Sequence, residues 1–230
     1  MIDGIVFDKD GTLFDFRKSW GAWAQAFLHS VADTADEAAA LGGMIGFDLA
    51  RGEFANDSPV IAGTASEIAE CLLPALPGWE FGDLVARING EAAQAPMAEA
   101  VPLAATLGAL RNRGLKLGLA TNDTEAPARA HLDRHGITPL FDFIAGYDSG
   151  HGPKPGPGMC LAFLRETGLQ PHRVAMVGDS RHDLQAGRAA GMRTVAVLTG
   201  IAEAPELADL ADVVLPDIGA LQGWIDSLDG

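Results

Sequence analysis

The sequence predicts an α/β protein: a doubly wound parallel sheet interrupted by an all-helical insertion. Three observations carry that prediction. Short apolar runs end abruptly in polar clusters at Asp8, Thr121 and Asp179. From Val101 onward such runs alternate with stretches of helical spacing, which implies βαβ units, a parallel sheet and right-handed crossovers. Between Asp15 and Pro96 no strand pattern is evident, and apolar residues recur at helical intervals.

Taken in order, Ile5-Val6-Phe7 reads as a buried strand that delivers Asp8 at its C-terminal end. Trp20, Trp23, Phe27, Leu28 and Val31 then form one apolar stripe of a helix. Gly42, Gly43 and Gly46 break the next helical piece. Ser58-Pro59 reads as an N-cap with proline at the first helical position, and Val60, Ile61, Ile68 and Leu72 continue that helix. Pro74 and Pro77-Gly78 mark a turn before a further helical face at Phe81, Leu84, Val85 and Ile88. Beyond Val101, a helix through Leu103, Leu107 and Leu110 stops at Gly114, and Leu115 to Ala120 forms a strand. A helix carrying Ala128, His131, Leu132 and His135 stops at Gly136, and a short strand falls between Phe141 and Tyr147. The loop from Gly150 to Gly158 leads to a helix through Leu161 and Leu164. Val174 to Val177 is a strand, Arg181 to Ala190 a helix, Thr194 to Leu198 and Val213 to Leu215 strands, and Leu221 and Trp224 lie on a closing helix.

Composition narrows the function classes. The 230 residues suit one large domain or a core with an insertion, and 48% apolar with 20% charged residues is a globular balance. A net charge of −15 disfavours nucleic acid or an anionic membrane as a partner. An anionic substrate needs a local cation, and the chain has four lysines to offer. Cys71 and Cys160 read as small core residues, a bridge between them being left open. Neither a basic leader nor an apolar run near ~20 residues is found, so the expected setting is cytoplasmic. The expected state is a monomer or homodimer.

Ligands of open α/β sheets bind outside the carboxyl ends of the strands, so Asp8, Thr121 and Asp179 should meet on one edge. Asp8 and Asp10, two residues apart, can converge on one site. Such carboxylates repel unless one is protonated or a cation lies between them, and Mg²⁺ with oxygen ligands resolves the conflict. One carboxylate is then free to act as a nucleophile in phosphoryl transfer. Gly11 permits positive φ and close backbone approach, and Thr12 can hydrogen-bond locally. Read alone, the stretch is equally a solvated turn. Thr121 could donate its hydroxyl to a phosphate at a helix N-terminus, while Asn122 or Asp123 serves equally well as an N-cap. Lys154, held between Pro153 and Pro155, could place an ammonium over a buried site; the alternative is an exposed lysine in a stiff loop. Asp179 suits a cation, with Asp183 one helical turn on, although Ser180 and Asp183 also fit a capping box.

In this order the stretches resemble the haloacid dehalogenase superfamily of phosphohydrolases, the phosphoglycolate-phosphatase-like members being nearest. Asp8-Lys9-Asp10-Gly11-Thr12 matches the first motif, Thr121-Asn122 the second, Lys154-Pro155 the third, and Gly178-Asp179-Ser180 with Asp183 the fourth. The resemblance covers the whole chain. It implies a Rossmann-like core of residues 1–14 and 97–230 and a helical C1-type cap over residues 15–96. It also implies that Asp8 is the nucleophile and Asp10 the general acid/base. Mg²⁺ would be held by Asp8, the Asp10 carbonyl and Asp179, with Asp183 beside them. Gly11, Thr121 and the Asn122 backbone would meet the phosphate together with Asp8 and Asp10, and Lys154 would neutralise charge.

The implied activity is Mg²⁺-dependent hydrolysis of a small phosphomonoester, such as phosphoglycolate, through an aspartyl phosphate. The alternatives are a sugar phosphomutase, a phosphonatase, or an idle protein that binds a phosphorylated metabolite. Asp10 argues against the dehalogenases and P-type ATPases, which lack an acid there. The absence of any lysine between Lys18 and Lys116 argues against the mutases and phosphonatases, which use a cap lysine. His29 reads as an ordinary helix residue. Lys9 replaces a more common apolar residue and is expected to be harmless. Cap candidates for specificity are Arg17, Lys18, Arg51, Asn56, Asp57 and Ser58, with Trp20 and Trp23 read as cap core.

Overall fold

The computed structural model describes residues 1–228; the last two residues of the expected core segment lie outside them. Ile5, Val6 and Phe7 are wholly buried, as a parallel strand covered on both faces requires, and they form β1 (Gly4–Phe7). The chain then leaves the sheet for the insertion. Its first helix, α1 (Phe16–Val31), starts where the Asp15 side chain accepts from the Lys18 amide, and it buries Trp20, Trp23 and Phe27. α2 (Ala35–Met44) follows, capped by Thr34.

A small antiparallel hairpin, β2 (Phe47–Asp48) and β3 (Glu53–Phe54), corrects the expectation of an all-helical insertion. Two residues per strand are too few to show an alternation in sequence. The pair is held by packing, the Phe47 and Phe54 rings lying 4.7 Å apart. The start expected at Ser58-Pro59 is likewise displaced. α3 (Ala65–Leu72) begins at Thr64, which forms a reciprocal capping box with Glu67. Ser58 instead donates its hydroxyl to the Ile45 carbonyl at 2.6 Å, so Val60 and Ile61 sit on a loop and not on a helix. α4 (Phe81–Ala92) completes the four expected helices.

Back in the core, α5 (Leu103–Asn112), β4 (Lys116–Ala120), α6 (Glu125–Arg134), β5 (Phe143–Ala145) and α7 (Gly158–Thr167) follow in turn. They are succeeded by β6 (Val174–Gly178), α8 (Arg181–Ala189), β7 (Arg193–Val197), α9 (Ala204–Leu207), β8 (Val213–Leu215) and α10 (Leu221–Ser227). The single-turn α9 carries no periodicity that a sequence could reveal. The six core strands form one sheet in the order β5-β4-β1-β6-β7-β8, with every pair parallel.

Strand residues alternate between two covered faces. Ile5, Phe7, Leu117 and Val177 join the large apolar cluster that also holds Trp20, Trp23 and Leu107. Val6 and Met176 face the other way, against Met159, Phe163 and Ala186. The strand order reverses at β1, flanked by β4 and β6, and a crevice at such a switch point is where α/β sheets bind ligands. Phe7 lies opposite both Leu119 and Val177, which brings Asp8, Thr121 and Asp179 to one level.

Candidate active site

Lys154 is the hub. Its side chain is buried, and its ammonium lies 2.5 Å from Asp8 Oδ1 and 2.6 Å from Asp183 Oδ1. Burial opposes that charge, but Asp183 and Asp8 outweigh it and hold the ammonium above its ordinary value. The loop is fastened by Asn122, whose Oδ1 accepts from the Lys154 amide at 2.8 Å and whose Nδ2 donates to the Lys154 carbonyl at 3.0 Å. The same Nδ2 donates to the Ala62 carbonyl at 2.8 Å, tying this edge of the core to the insertion. Neither Asn122 nor Asp123 caps α6; Thr124 occupies that position.

Asp183 serves two partners. Its Oδ2 accepts from the Ser180 amide and hydroxyl at 3.0 and 2.7 Å, completing the expected capping box, while Oδ1 takes Lys154. Asp8, Asp179 and Asp183 are all buried and offer carboxylate oxygens within 4.8 Å of one another. Burial pushes Asp8 up to about 7 against the pull of Lys154, with Asp183 and Asp10 adding to the rise. Burial raises Asp179 well above the carboxylate range, with Asp183 and Asp8 contributing.

Asp179 Oδ2 is buried without a hydrogen-bond partner. An orphaned carboxylate oxygen beside two further acids is a hard, all-oxygen donor set, and it fits a divalent ion such as Mg²⁺. The surrounding backbone is shaped to Asp179. Gly11, at φ +77, would carry a Cβ 2.2 Å from Asp179 Oδ2, and a Cβ on Gly200 would lie 1.7 Å from it. Gly11 thus faces Asp179 and is not part of the cavity wall. Gly200 has no motif around it to announce such a contact.

Asp10 stands apart from that cluster. Its Oδ1 accepts from Lys9 Nζ and from Trp20 Nε1, each at 2.7 Å, and its main-chain carbonyl accepts no hydrogen bond among the described residues. Lys9 is fully buried, also lies 3.0 Å from Asp123 Oδ2, and sits 5.2 Å from the centre of the Trp20 ring. The expectation that Lys9 is a harmless replacement is therefore corrected. Its only sequence signal is a charge at a position where a parallel strand runs into buried surroundings. Thr121 is buried, and its Oγ1 accepts from the Asp123 amide at 3.1 Å, which leaves its hydroxyl hydrogen for a ligand.

Asp8, Asp10, Thr121, Asn122, Lys154 and Asp183 share one cavity. The insertion roofs it, but with none of Arg17, Lys18, Arg51, Asn56, Asp57 or Ser58. Trp20, Trp23, Ile61, Ile68, Ile88 and Asn89 are on the wall instead. Trp20 and Trp23 are thus core and cavity lining at once, each being almost wholly buried and also on the cavity wall.

Comparisons with known proteins agree with this geometry. A family model described as haloacid dehalogenase-like hydrolase matches residues 2–191. A phosphoglycolate phosphatase of Rhodospirillum rubrum is 37% identical over 122 residues, which is 53% of this chain and 50% of that protein. The match thus spans about half the length of that relative. A protein of Dickeya dadantii described as probable phosphatase IndB is 29% identical over 225 residues, 93% of this chain and 88% of its own. Among solved structures, CbbY from Rhodobacter sphaeroides in complex with phosphate superposes with a TM-score of 0.73 at 21% identity, covering 96% of each chain. A predicted phosphoglycolate phosphatase from Haemophilus somnus reaches 0.76 at 21% identity, covering 97% of this chain and 98% of that one. These two likenesses establish the fold. With the family model matched over most of its length, the chain belongs to the haloacid dehalogenase-like hydrolases.

Proposed function

We propose that the protein is a Mg²⁺-dependent phosphatase that hydrolyses a small phosphomonoester in two steps through an aspartyl phosphate on Asp8. The observation that carries this reading is the Lys154 ammonium bridging Asp8 and Asp183 beside the unpartnered Asp179 oxygen. Asp8, Asp179 and Asp183, with the Asp10 carbonyl, would hold the metal. When bound, the ion supplies positive charge to the phosphoryl oxygens and keeps the buried acids ionised.

Lys154 occupies Asp8 Oδ1, so Oδ2 is the oxygen left to attack phosphorus. Both protein donors to Asp10 land on its Oδ1, which leaves Oδ2 to carry the proton that the departing alkoxide takes. The same oxygen then accepts a proton from the water that attacks the acyl phosphate. Thr121 and the Asn122 amide would orient the phosphoryl oxygens, and Lys154 would neutralise their charge; positioning and charge are what phosphoryl transfer chiefly demands. Two unpaired cysteines, Cys71 and Cys160, support a reducing, cytoplasmic setting.

The test is phosphate release from a panel of small phosphomonoesters with Mg²⁺ and with chelator, using Asp8→Asn protein as the blank. Mg²⁺-dependent release that disappears in the blank is expected. Folded wild-type protein that releases no phosphate from any ester would refute the proposal.

A further inference from the structure

The cavity above Asp8 has two unlike halves. Its floor is polar: Asp8, Thr121, Asn122, Lys154 and Asp183. Its roof is apolar, built by Trp20 and Trp23 of α1, Ile61 of the loop before α3, Ile68 of α3, and Ile88 of α4. No cation of the insertion reaches it. Arg17, Lys18, Arg51 and Arg87 are exposed; Lys18 pairs with Asp15, Arg51 with Glu53 and Arg87 with Glu91.

The cations inside are engaged already. Lys154 answers Asp8 and Asp183, and Lys9 answers Asp10 and Asp123. His182, the remaining basic residue on the wall among the described residues, belongs to the first turn of α8, which leads from the strand end that carries Asp179. A second anion on the substrate would therefore enter an apolar roof flanked by Asp10 and Asp123. Removing an ion from water into such surroundings is strongly unfavourable unless it is paired.

Two residues of the cavity wall carry neutral donors. The Trp23 indole N–H is buried and has no partner, with its ring stacked on Phe27 and edge-on to Trp20. Asn89 Oδ1 accepts from the Thr124 hydroxyl at 3.1 Å, so its Nδ2 is the end left for a ligand. A buried, unsatisfied indole N–H and a partly exposed side-chain amide in an apolar wall suit a neutral acceptor such as an amide, carbonyl or ether oxygen.

Resting on the phosphatase reading above, we infer that the substrate is a phosphomonoester whose leaving group is uncharged and predominantly apolar. It carries at most a neutral hydrogen-bond acceptor, and esters with a second anion such as the carboxylate of phosphoglycolate are disfavoured. Trp23, Ile61, Ile68, Ile88 and Asn89 are the residues that set this choice.

The experiment compares kcat/KM for phosphoglycolate, its primary amide and benzyl phosphate at saturating Mg²⁺. The amide matches phosphoglycolate in size and differs in charge. Both neutral esters should exceed phosphoglycolate by at least about 10-fold, the lower end of discrimination by an apolar pocket. Ile61→Arg, at a half-buried loop position, should shift the phosphoglycolate-to-benzyl ratio upward by about 10-fold or more. Robust turnover with phosphoglycolate equal to or better than its amide would overturn this inference and leave the phosphatase standing. An unchanged ratio in folded Ile61→Arg would overturn the role of the roof. Silence on every ester would remove the phosphatase reading and this inference with it.

Discussion

Lys9 Nζ lies 2.7 Å from Asp10 Oδ1, wholly out of solvent, between that carboxylate and Asp123. A lysine in the middle of the first motif thus serves as an internal counterion. It joins the expected acid/base to the loop after β4. Burial alone would push its charge off, but Asp10 and Asp123 reverse the direction and hold the ammonium firmly protonated.

Lys9→Met should therefore destabilise the fold by about 3 kcal/mol, the lower end for a broken buried pair, because it leaves two partly buried carboxylates without a cation. The double variant Lys9→Met/Asp123→Asn should recover at least half of the loss. Denaturant midpoints of the three proteins measure this, and a Lys9→Met midpoint equal to wild type would show the pairing to be dispensable.

Asp10→Asn should keep the Lys9 and Trp20 contacts at Oδ1 as hydrogen bonds while removing the ionisable oxygen and its charge. Turnover of an alkyl phosphate should fall by roughly 10²–10⁴-fold, and that of nitrophenyl phosphate much less, since a good leaving group needs no acid. Equal losses on both esters would contradict protonation of the leaving group by Asp10.

Mg²⁺ should raise the unfolding temperature, with a stabilisation of about 2.7 kcal/mol at a hundred times its dissociation constant. The pH dependence follows from the acids. Asp8 sits at about 7 in the folded chain against an ordinary 3.8, so without metal the native state holds protons that the unfolded chain has released between those values. Metal-free stability accordingly falls as pH rises through that window, and Mg²⁺, which needs ionised ligands, gains affinity over the same range. The thermal shift should be larger at pH 8 than at pH 6 and absent in Asp179→Asn; a pH-independent shift would place the ion elsewhere.

His131 predicts the opposite slope. It is buried, shares its Nε2 with the Ala92 carbonyl at 2.8 Å, and is pulled down to about 4 by burial and by nearby Lys9. Between its ordinary 6.5 and about 4 the unfolded chain binds a proton that the native chain refuses, so stability is lost as pH falls across that interval. His131→Gln keeps a donor for Ala92 and removes the titration. Wild type should lose roughly 3 kcal/mol more than the variant between pH 7 and pH 4. Parallel stability curves for the two proteins would exclude His131 as the source.

The parallel sheet and the meeting of Asp8, Thr121 and Asp179 were legible in the sequence, because both follow from local pattern. A strand buried on two faces must be apolar throughout, its end is marked by the first acid or hydroxyl, and parallel pairing brings such ends to one edge. Lys154 was legible through its scarcity and its prolines, and Asp183 through the spacing of its capping box. Tertiary structure alone decided the rest. Val60 and Ile61 enter the cavity wall only because Thr64, and not Ser58, starts α3, and a cap is chosen by competing hydrogen bonds that spacing does not rank. Lys9 acquires its partners from α1 and from the loop after β4, far apart in sequence. Whether a tryptophan at a helical interval is core or cavity wall depends on what packs over it. That is set by the angle at which the insertion closes on the sheet, a long-range property with no local period to read.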